Sequence, residues 1–296
     1  MIERGAVWSG AASIARLSRR DATLVLAYHN IVPQGEDRVG DVSLHLPQRS
    51  FARQLDRLRL THDVVSLRDA LFLPPTGERP RAVITFDDAY HGTLTAGVKE
   101  LYARGLPATI FVAPGRLGQQ TFWWDTLTPP GTDGIDPAIR THALERAAGR
   151  EDDVSQWARE QALPITSIPM HARSATDDTL RAAMAYTPLS LGAHSWTHPN
   201  LSRLDAGSLR EELVRPLEWL SQFGDRAVPA VAYPYGLANE TVHRMAEETG
   251  YDAGFMIDGG WIANTDTTRY ALPRLNIPAG VTDHGFVMRA SGLLTH

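Results

Sequence analysis

The chain has 296 residues, of which 43% are hydrophobic and 21% charged, so it can bury a sizeable core in one large α/β domain or two small ones. Its formal net charge of -5 argues against a general polyanion binder, and we expect no nucleic-acid partner. The absence of cysteine excludes disulfides and thiolate metal sites, so any metal must be held by histidine and carboxylate side chains.

The first 20 residues are expected to form a helical segment ahead of the main domain. Residues 7–17 can make an amphipathic helix that would pack on the domain or lie on a membrane surface, and packing on the domain is the favoured interpretation. Glu3 and Arg4 precede only a weak apolar stretch, which is a poor secretory signal. No window reaches the roughly 18 consecutive apolar residues of a membrane-spanning helix. We therefore predict a cytoplasmic protein, with peripheral membrane contact as the alternative.

Strand-like and helix-like segments alternate along the chain. Apolar runs typical of buried strands span residues 24–28, 63–67, 82–86, 108–113, 189–193, 230–234 and 252–257. Helical patterns span residues 49–61, 93–105, 205–223 and 239–250, with Asp205 as a candidate N-cap. This alternation indicates an α/β fold with mostly parallel strands, and about seven strand units suggest a barrel-like closure.

The pattern breaks between residues 120 and 188, where a proline- and glycine-rich stretch precedes charged helical pieces. We interpret this region as a helical insertion within one domain that spans residues 21–296. Trp123, Trp124 and Trp157 in the insertion could stack on a sugar ring. Large aromatic side chains more often anchor a small core, and we favour that interpretation.

Residues able to carry chemistry follow two of the predicted strands. Asp87 and Asp88 come directly after the strand at 82–86, and His194 and His198 follow the strand at 189–193. Ligands bind at the carboxyl ends of strands in α/β folds, and imidazoles four residues apart can share one face of a helical turn. One aspartate and two histidines supply three ligands for a catalytic zinc, while the other aspartate can accept a proton from water. Spacing alone does not say which aspartate faces the metal.

Each motif also has an ordinary structural explanation. An Asp-Asp pair after a strand is often a helix N-cap, and an isolated His-x-x-x-His is more often two surface histidines than a site. Their joint occurrence at the ends of two predicted strands favours a functional site.

The segments TFDDAY and HSWTHPNL resemble the first two signature motifs of the polysaccharide deacetylase family, also called carbohydrate esterase 4 or the NodB-homology group. The later segments AYPYG and LPRLNIP resemble its third and fourth motifs, and the resemblance covers residues 24–277. It implies a distorted (β/α) barrel and metal-dependent removal of N-acetyl groups from amino sugars. It also implies that Asp87 is the base and that Asp88, His194 and His198 are the metal ligands.

The general acid of this family usually comes from a Leu-x-His near the C-terminus, and the match to it in LLTH, ending at His296, is superficial. Chain ends often fray, so we discount that match. Residues 24–32 (LVLAYHNIV) are instead similar to the segment that brings this histidine in on the first strand of the circularly permuted branch acting on poly-β-1,6-N-acetylglucosamine. The resemblance implies His29 as the general acid, with a structural histidine at a strand end as the alternative.

Two motifs depart from the family pattern. The third usually has an arginine ahead of Pro-Tyr, where residues 231–233 are Val-Ala-Tyr. Arg274 in LPRLNIP is the expected substitute for orienting the catalytic aspartate, although it could equally form a structural ion pair. Tyr235 matches the residue whose backbone N–H contributes to the family's oxyanion hole.

In the first motif Ala89 replaces the usual glycine. Alanine restricts the backbone only modestly if its φ is negative, so we expect activity to persist.

The predicted protein is thus a metal-dependent hydrolase of carbon-nitrogen bonds that deacetylates amino sugars of a polysaccharide or a lipid-linked glycan precursor. Two histidines and a carboxylate suit zinc, with cobalt, nickel or manganese as alternative ions. The same residues could cleave an O-acetyl ester or a sugar formamide, because the tetrahedral intermediates are alike. A glycan-binding pseudoenzyme and a scaffold centred on the tryptophan-rich insertion are alternatives of other classes. The sequence predicts no particular oligomeric state.

Overall fold

The structure is a computed structural model that describes residues 10–118, 120–263 and 268–294. Its strands are β1 (Thr23–Tyr28), β2 (Asn30–Val32), β3 (His45–Pro47), β4 (Asp63–Val64), β5 (Arg81–Phe86), β6 (Ala108–Val112), β7 (Leu189–Ala193), β8 (Ala227–Ala232), β9 (Ala253–Phe255), β10 (Trp261–Ile262) and β11 (Leu275–Asn276). Its helices are α1 (Ala11–Leu17), α2 (Gln48–Thr61), α3 (Leu67–Phe72), α4 (Val98–Arg104), α5 (Trp123–Thr126), α6 (Pro137–Glu145), α7 (Glu151–Glu160), α8 (Asp177–Ala183), α9 (Ala206–Leu220), α10 (Glu240–Thr249) and α11 (Asp283–Ala290).

Within the described residues, nine strands form one curled sheet. Its order is β10-β1-β5-β6-β7-β8-β9, with β11 also beside β1 and β4 beside β5. Every pair in this sheet is parallel except β10 with β1. The remaining strands, β2 and β3, form a separate parallel pair. The predicted α/β fold of the distorted (β/α) barrel type is confirmed.

Alternate residues of the central strands pack on opposite faces of this sheet. Leu24 and Leu26 of β1 belong to the large outer cluster, together with Leu55 of α2. Val25 of β1 points the other way and packs in a smaller inner cluster with Phe111 of β6. All six residues of β1 are buried, as expected for a parallel strand that is covered on both faces.

The predicted strands at 24–28, 82–86, 108–113 and 189–193 are confirmed to within one residue at each end. The predicted strand at 63–67 is wrong beyond Asp63–Val64, because Leu67 begins α3. The Ser66 side chain caps this helix by accepting the Asp69 backbone N–H at 3.0 Å. Ser66, which the sequence pattern assigns to a strand, therefore marks the start of a helix in the structure.

The predicted helices are present, with one local difference. Asp205 caps α9 by accepting the N–H groups of Gly207 and Ser208, as the sequence indicates. The helix predicted at 93–105 begins instead as a π-helical turn, Thr93–Gly97, before it continues as α4. Gly105 ends it with a φ of 64°, the left-handed conformation typical of a glycine after a helix.

Residues 120–188 contain four helices, of which three supply most of a separate apolar cluster, while α8 packs into the large outer cluster. Trp123 and Trp124 are 1% and 4% exposed within this cluster, so both anchor a core as favoured. Trp157 is partly buried against it and stacks on His142 with ring centroids 3.9 Å apart. The insertion therefore has its own apolar centre beside the main sheet.

At the N-terminal side, α1 packs against α11 and buries Ala12, while Ile14 and Leu17 stay exposed. Residues 1–9 of the predicted N-terminal segment lie outside the described residues. No helix in the described ranges is both long and apolar enough to cross a bilayer.

Candidate active site

Asp87 and Asp88 follow β5 directly, and the chain turns sharply there. Asp88 and Ala89 both adopt the left-handed conformation, with φ of 68° and 50°. This conformation costs a non-glycine residue about 1–2 kcal/mol, so two in succession need support from their neighbours. The sequence-based expectation for Ala89 assumed a negative φ and is wrong on that point. Ala89 carries backbone strain that a glycine would avoid.

His194 and His198 lie in the loop after β7 and not in a helical turn, so the predicted helical geometry is wrong. The loop reverses at Ser195 and His198, whose φ values are 59° and 68°. The Ser195 hydroxyl accepts the His198 N–H at 3.0 Å, and Glu212 of α9 accepts both N–H groups of residues 196–197 at 2.8 Å. These side chains satisfy backbone donors that a helix would pair internally, and they bring the two imidazoles together.

Three ligand atoms converge at one buried point. Asp88 Oδ1 lies 3.1 Å from His198 Nε2 and 3.5 Å from His194 Nε2, and the two Nε2 atoms are 3.1 Å apart. His194 Nδ1 donates to the Ala232 carbonyl at 2.7 Å, which leaves the lone pair on Nε2. Asp88 Oδ1 is buried without a hydrogen-bond partner. Acceptors that face each other in this way are costly without a cation, and the two-nitrogen, one-oxygen set fits a divalent metal.

Burial dominates the electrostatics of these three side chains. It raises the pKa of Asp88 to about 6, although His194 opposes the shift. It lowers the pKa of His198 to about 3 and also lowers the pKa of His194. Both imidazoles are therefore neutral near pH 7, which is the state that binds metal.

Arg274 holds Asp87 in a bidentate ion pair, at 2.7 Å from Nη1 to Oδ1 and 2.8 Å from Nη2 to Oδ2. The guanidinium also donates to Thr85 Oγ1 and to the Met256 carbonyl. Burial alone would raise the pKa of Asp87, but Arg274 and His194 outweigh it and hold that pKa well below its usual range. The predicted contact between Arg274 and Asp87 is present, and its catalytic role stays a prediction.

These groups border a cavity of about 110 Å³. Its lining residues are His29, Leu44, Asp87, Asp88, Trp124, Arg140, His194, His198, Tyr235, Gly236, Ile257 and Asn276. His29 enters from the corner between β1 and β2. Burial lowers the pKa of His29, and the carboxylates of Asp87 and Asp88 oppose that shift.

Tyr235 occupies a strained turn after β8. Its φ is 60°, and Gly236 follows with a φ of 67°. A side chain at Gly236 would collide with Ile257, so glycine is required there for two reasons. The Tyr235 hydroxyl accepts from Trp123 Nε1 at 3.0 Å and donates to the Gly149 carbonyl at 3.2 Å. The insertion therefore holds the turn that carries Tyr235.

The structure brings every predicted site residue to this one edge of the sheet, with Arg274 behind Asp87. Sequence reasoning missed Leu44, Arg140, Ile257 and Asn276 in the cavity wall. Asn276 lies two residues after Arg274, a spacing that places both on one face of a strand and could have indicated it. Leu44 and Arg140 come from a loop and from the insertion, where no local pattern marks them. His296 lies outside the described residues.

Comparison with known proteins places these observations among relatives. The polysaccharide deacetylase family model matches residues 75–254. YxkH of Bacillus subtilis (strain 168), whose name assigns it to the polysaccharide deacetylases, is 26% identical over 266 residues, covering 88% of this chain and 74% of YxkH. The deacetylase PplD of Streptococcus pyogenes, solved in complex with acetate, superposes with a TM-score of 0.61 at 15% identity, covering 90% of this chain and 97% of PplD. A de-N-acetylase from Aggregatibacter actinomycetemcomitans gives 0.59 at 16% identity, covering 88% and 97%.

Proposed function

Because the chain belongs to the polysaccharide deacetylase family, we propose that it is a metal-dependent hydrolase that removes N-acetyl groups from amino sugars of a polysaccharide or a lipid-linked glycan precursor. The observation that carries this proposal is the contrast between two adjacent carboxylates. Asp88 faces two histidine nitrogens, whereas Asp87 is fixed by Arg274. Support for the N-acetyl group comes from the names of the solved relatives, one a de-N-acetylase and one holding acetate.

Asp88, His194 and His198 would hold the metal, with zinc preferred for two nitrogens and one oxygen and with cobalt, nickel or manganese as alternatives. A divalent ion supplies Lewis acidity, which polarises a carbonyl oxygen and makes water easier to deprotonate. The ligand side chains need little rearrangement for this, because the three atoms already lie within 4.8 Å of one another.

Asp87 is assigned the role of general base. Its low pKa keeps it ionised throughout the neutral range, so it is ready to accept a proton from the attacking water. The Arg274 fork fixes both carboxylate oxygens and leaves the side chain a single orientation. A carboxylate with such a low pKa is a weak base toward free water. It would suffice for a water molecule whose own pKa is lowered by a divalent ion.

His29 is assigned the general acid, because it lines the same cavity as both carboxylates and interacts electrostatically with them. Burial lowers the pKa of His29, and the negative charge of the two carboxylates opposes that shift and so favours the imidazolium that must protonate the departing amine. Tyr235 would direct its backbone N–H at the oxyanion of the tetrahedral intermediate. The products are acetate and the free amino sugar.

The domain organisation is proposed on the same basis. One catalytic domain would span residues 21–296, with the helical insertion at about 120–188 and a helical segment at residues 1–20. Contacts of the insertion with the Tyr235 turn support treating it as part of the catalytic domain.

The first experiment is acetate release from N-acetylglucosamine oligomers by zinc-loaded protein. Chelation should abolish release and added zinc should restore it. Asp87→Asn should lower the rate by about 10²–10⁴-fold, the usual contribution of a positioned base. Asp283→Asn is the matched control, because Asp283 is 45% exposed in a surface ion pair and should leave the rate unchanged.

The acyl group is decided in the same assay with O-acetylated and N-formylated sugars in parallel. Release of acetate from the N-acetyl substrate at the highest rate supports the proposal. Preference for either of the other substrates moves the assignment to an esterase or a deformylase on the same residues. Stoichiometric zinc binding with no turnover of any of the three would indicate a glycan-binding pseudoenzyme.

A further inference from the structure

The FWWD segment brings a fully buried carboxylate, Asp125, close to the site without placing it in the cavity wall. Asp125 Oδ1 accepts the Asp41 backbone N–H at 2.9 Å and lies 2.9 Å from His45 Nε2. Its Oδ2 accepts the Tyr90 hydroxyl at 3.0 Å. This buried carboxylate accepts from three donors in two separate segments of the chain, which holds it in one position.

One branch of this network runs to the ligand side chains. The Tyr90 hydroxyl, which donates to Asp125, also accepts from Trp124 Nε1 at 2.9 Å. The Trp124 ring lies against His198, with ring centroids 5.0 Å apart, and forms part of the cavity wall. One hydroxyl therefore fixes the orientation of the indole that borders His198.

The other branch runs to the strand corner that carries His29. His45 Nδ1 lies 3.0 Å from Asn30 Nδ2, and Asn30 also lies 3.3 Å from His171 Nδ1. Asn30 and His45 are fully buried, and Asn30 is the residue after His29. Asp125 is thus joined through buried side chains to both sides of the site.

The backbone at Asp88 explains why such support is needed. Asp88 has a φ of 68°, a conformation that its surroundings must enforce, and Tyr90 is two residues further along. We propose that Asp125 is a positioning residue, which through Tyr90 holds Asp88 in its strained turn and holds Trp124 against His198. Its effect is on the geometry of the ligand set.

Zinc affinity of the full chain tests this directly, with zinc alone as the probe. Tyr90→Phe removes the shared hydroxyl, and Asp125→Asn replaces one carboxylate oxygen with an NH2 group, which cannot accept the Tyr90 proton when it takes the place of Oδ2. The matched control is Tyr251→Phe, because Tyr251 is also buried and donates to the Leu213 carbonyl at 2.8 Å away from the cavity. Zinc dissociation constants are measured by chelator competition at a temperature where circular dichroism shows every variant folded.

Tyr90→Phe and Asp125→Asn should each weaken zinc binding about 10- to 100-fold, as loss of a residue that orients metal ligands does. The double variant should be no weaker than the worse single variant, because the two groups act as one unit. Tyr251→Phe should lower the melting temperature and stay within twofold of the wild-type affinity. Affinities within twofold of wild type in Tyr90→Phe and Asp125→Asn, with only the melting temperature lowered, would overturn the proposal.

Acetate release by the same variants rests on the proposed function and separates the two ideas. Weakened zinc binding in a protein that never releases acetate supports the positioning role and contradicts the proposed activity. Wild-type acetate release combined with unchanged zinc affinity in the variants overturns the positioning role alone. A wild-type chain that binds no zinc overturns both.

Discussion

Replacing Arg274 tests whether its ion pair orients Asp87 or only stabilises the fold. Arg274→Gln removes both charge-assisted hydrogen bonds to Asp87, and the pair is so buried that water cannot replace them, with Arg274 unexposed and Asp87 2% exposed. Breaking a buried ion pair from one side costs about 3–5 kcal/mol, because the remaining charge has no partner. A loss of that size lowers the melting temperature of a chain of this size by roughly 10 °C.

The assay is denaturant unfolding of Arg274→Gln, Asp87→Asn and the double variant. We expect the double variant to recover most of the lost stability, since neither charge is then left uncompensated. Hydrolysis should remain lost in all three, because stability alone does not restore an oriented base. Arg274→Gln protein that is folded at the assay temperature and hydrolyses the substrate at the wild-type rate would show that Arg274 acts only on the fold.

The matched control for this series is the surface pair of Arg53 with Asp283. Its N–O distance is 2.9 Å, close to that of the buried pair, but its side chains are 54% and 45% exposed. Arg53→Gln should therefore cost less than about 1 kcal/mol. If Arg274→Gln costs no more than Arg53→Gln, the reasoning from burial is refuted.

Three further predictions use the same assays. His29→Ala should slow N-acetyl hydrolysis by about 10²–10⁴-fold and slow an aryl acetate much less, because that leaving group needs no proton; equal losses on both substrates would contradict the role of a general acid. Burial raises the pKa of Glu151 to about 7 from 4.5, so the folded state keeps a proton that the unfolded state releases. As pH rises from about 4.5 to about 7, the wild-type protein should therefore lose stability relative to Glu151→Gln, by at most about 1.4 kcal/mol per pH unit. A difference between the urea midpoints of the two proteins that does not change with pH would contradict this. Gly236→Ala should lower both stability and acetate release. Its control is Gly105→Ala, which should lower stability alone, because Gly105 has a similar φ of 64° but open space around it. Equal effects of the two substitutions on acetate release would contradict the steric argument.

The sequence predicts the parts of the fold whose signals are local. The strands at 82–86 and 189–193 are short apolar runs that end in polar side chains able to bind a metal, and both the strands and these side chains lie where expected. Asp205 and Gly105 are also local signals, since capping depends on a few adjacent residues. The type of each element and the edge of the sheet that bears the site can therefore be predicted from the sequence.

The backbone conformations within the motifs cannot be predicted from such local signals. Four-residue spacing suggests a helical turn for His194 and His198, but Glu212 of α9 binds the intervening N–H groups and imposes a loop. Ala89 likewise adopts a positive φ that its residue type disfavours. In the histidine loop a partner distant in sequence outweighs the local preference.

Trp124 in the insertion also has a position that local sequence signals do not determine. The sequence favours a core role for Trp124, which its burial confirms, over a sugar-stacking role, but in the structure the indole also forms a wall of the cavity. That position depends on Tyr90 and Asp125, which are 35 residues apart in sequence. Hydrogen bonds of such separation are set by the fold as a whole.

The position of Arg274 follows from the order of the strands. Arg274 immediately precedes β11, which pairs with β1, and β1 pairs with β5, so the guanidinium reaches Asp87 across one intervening strand. An arginine at residues 231–233 would start from β8, which is separated from β5 by β6 and β7 in the opposite direction. Because the sheet curls, its strand ends approach a common edge, and a cation can reach Asp87 from either side. We therefore propose that the chemistry needs a buried positive charge beside Asp87, whichever strand supplies it.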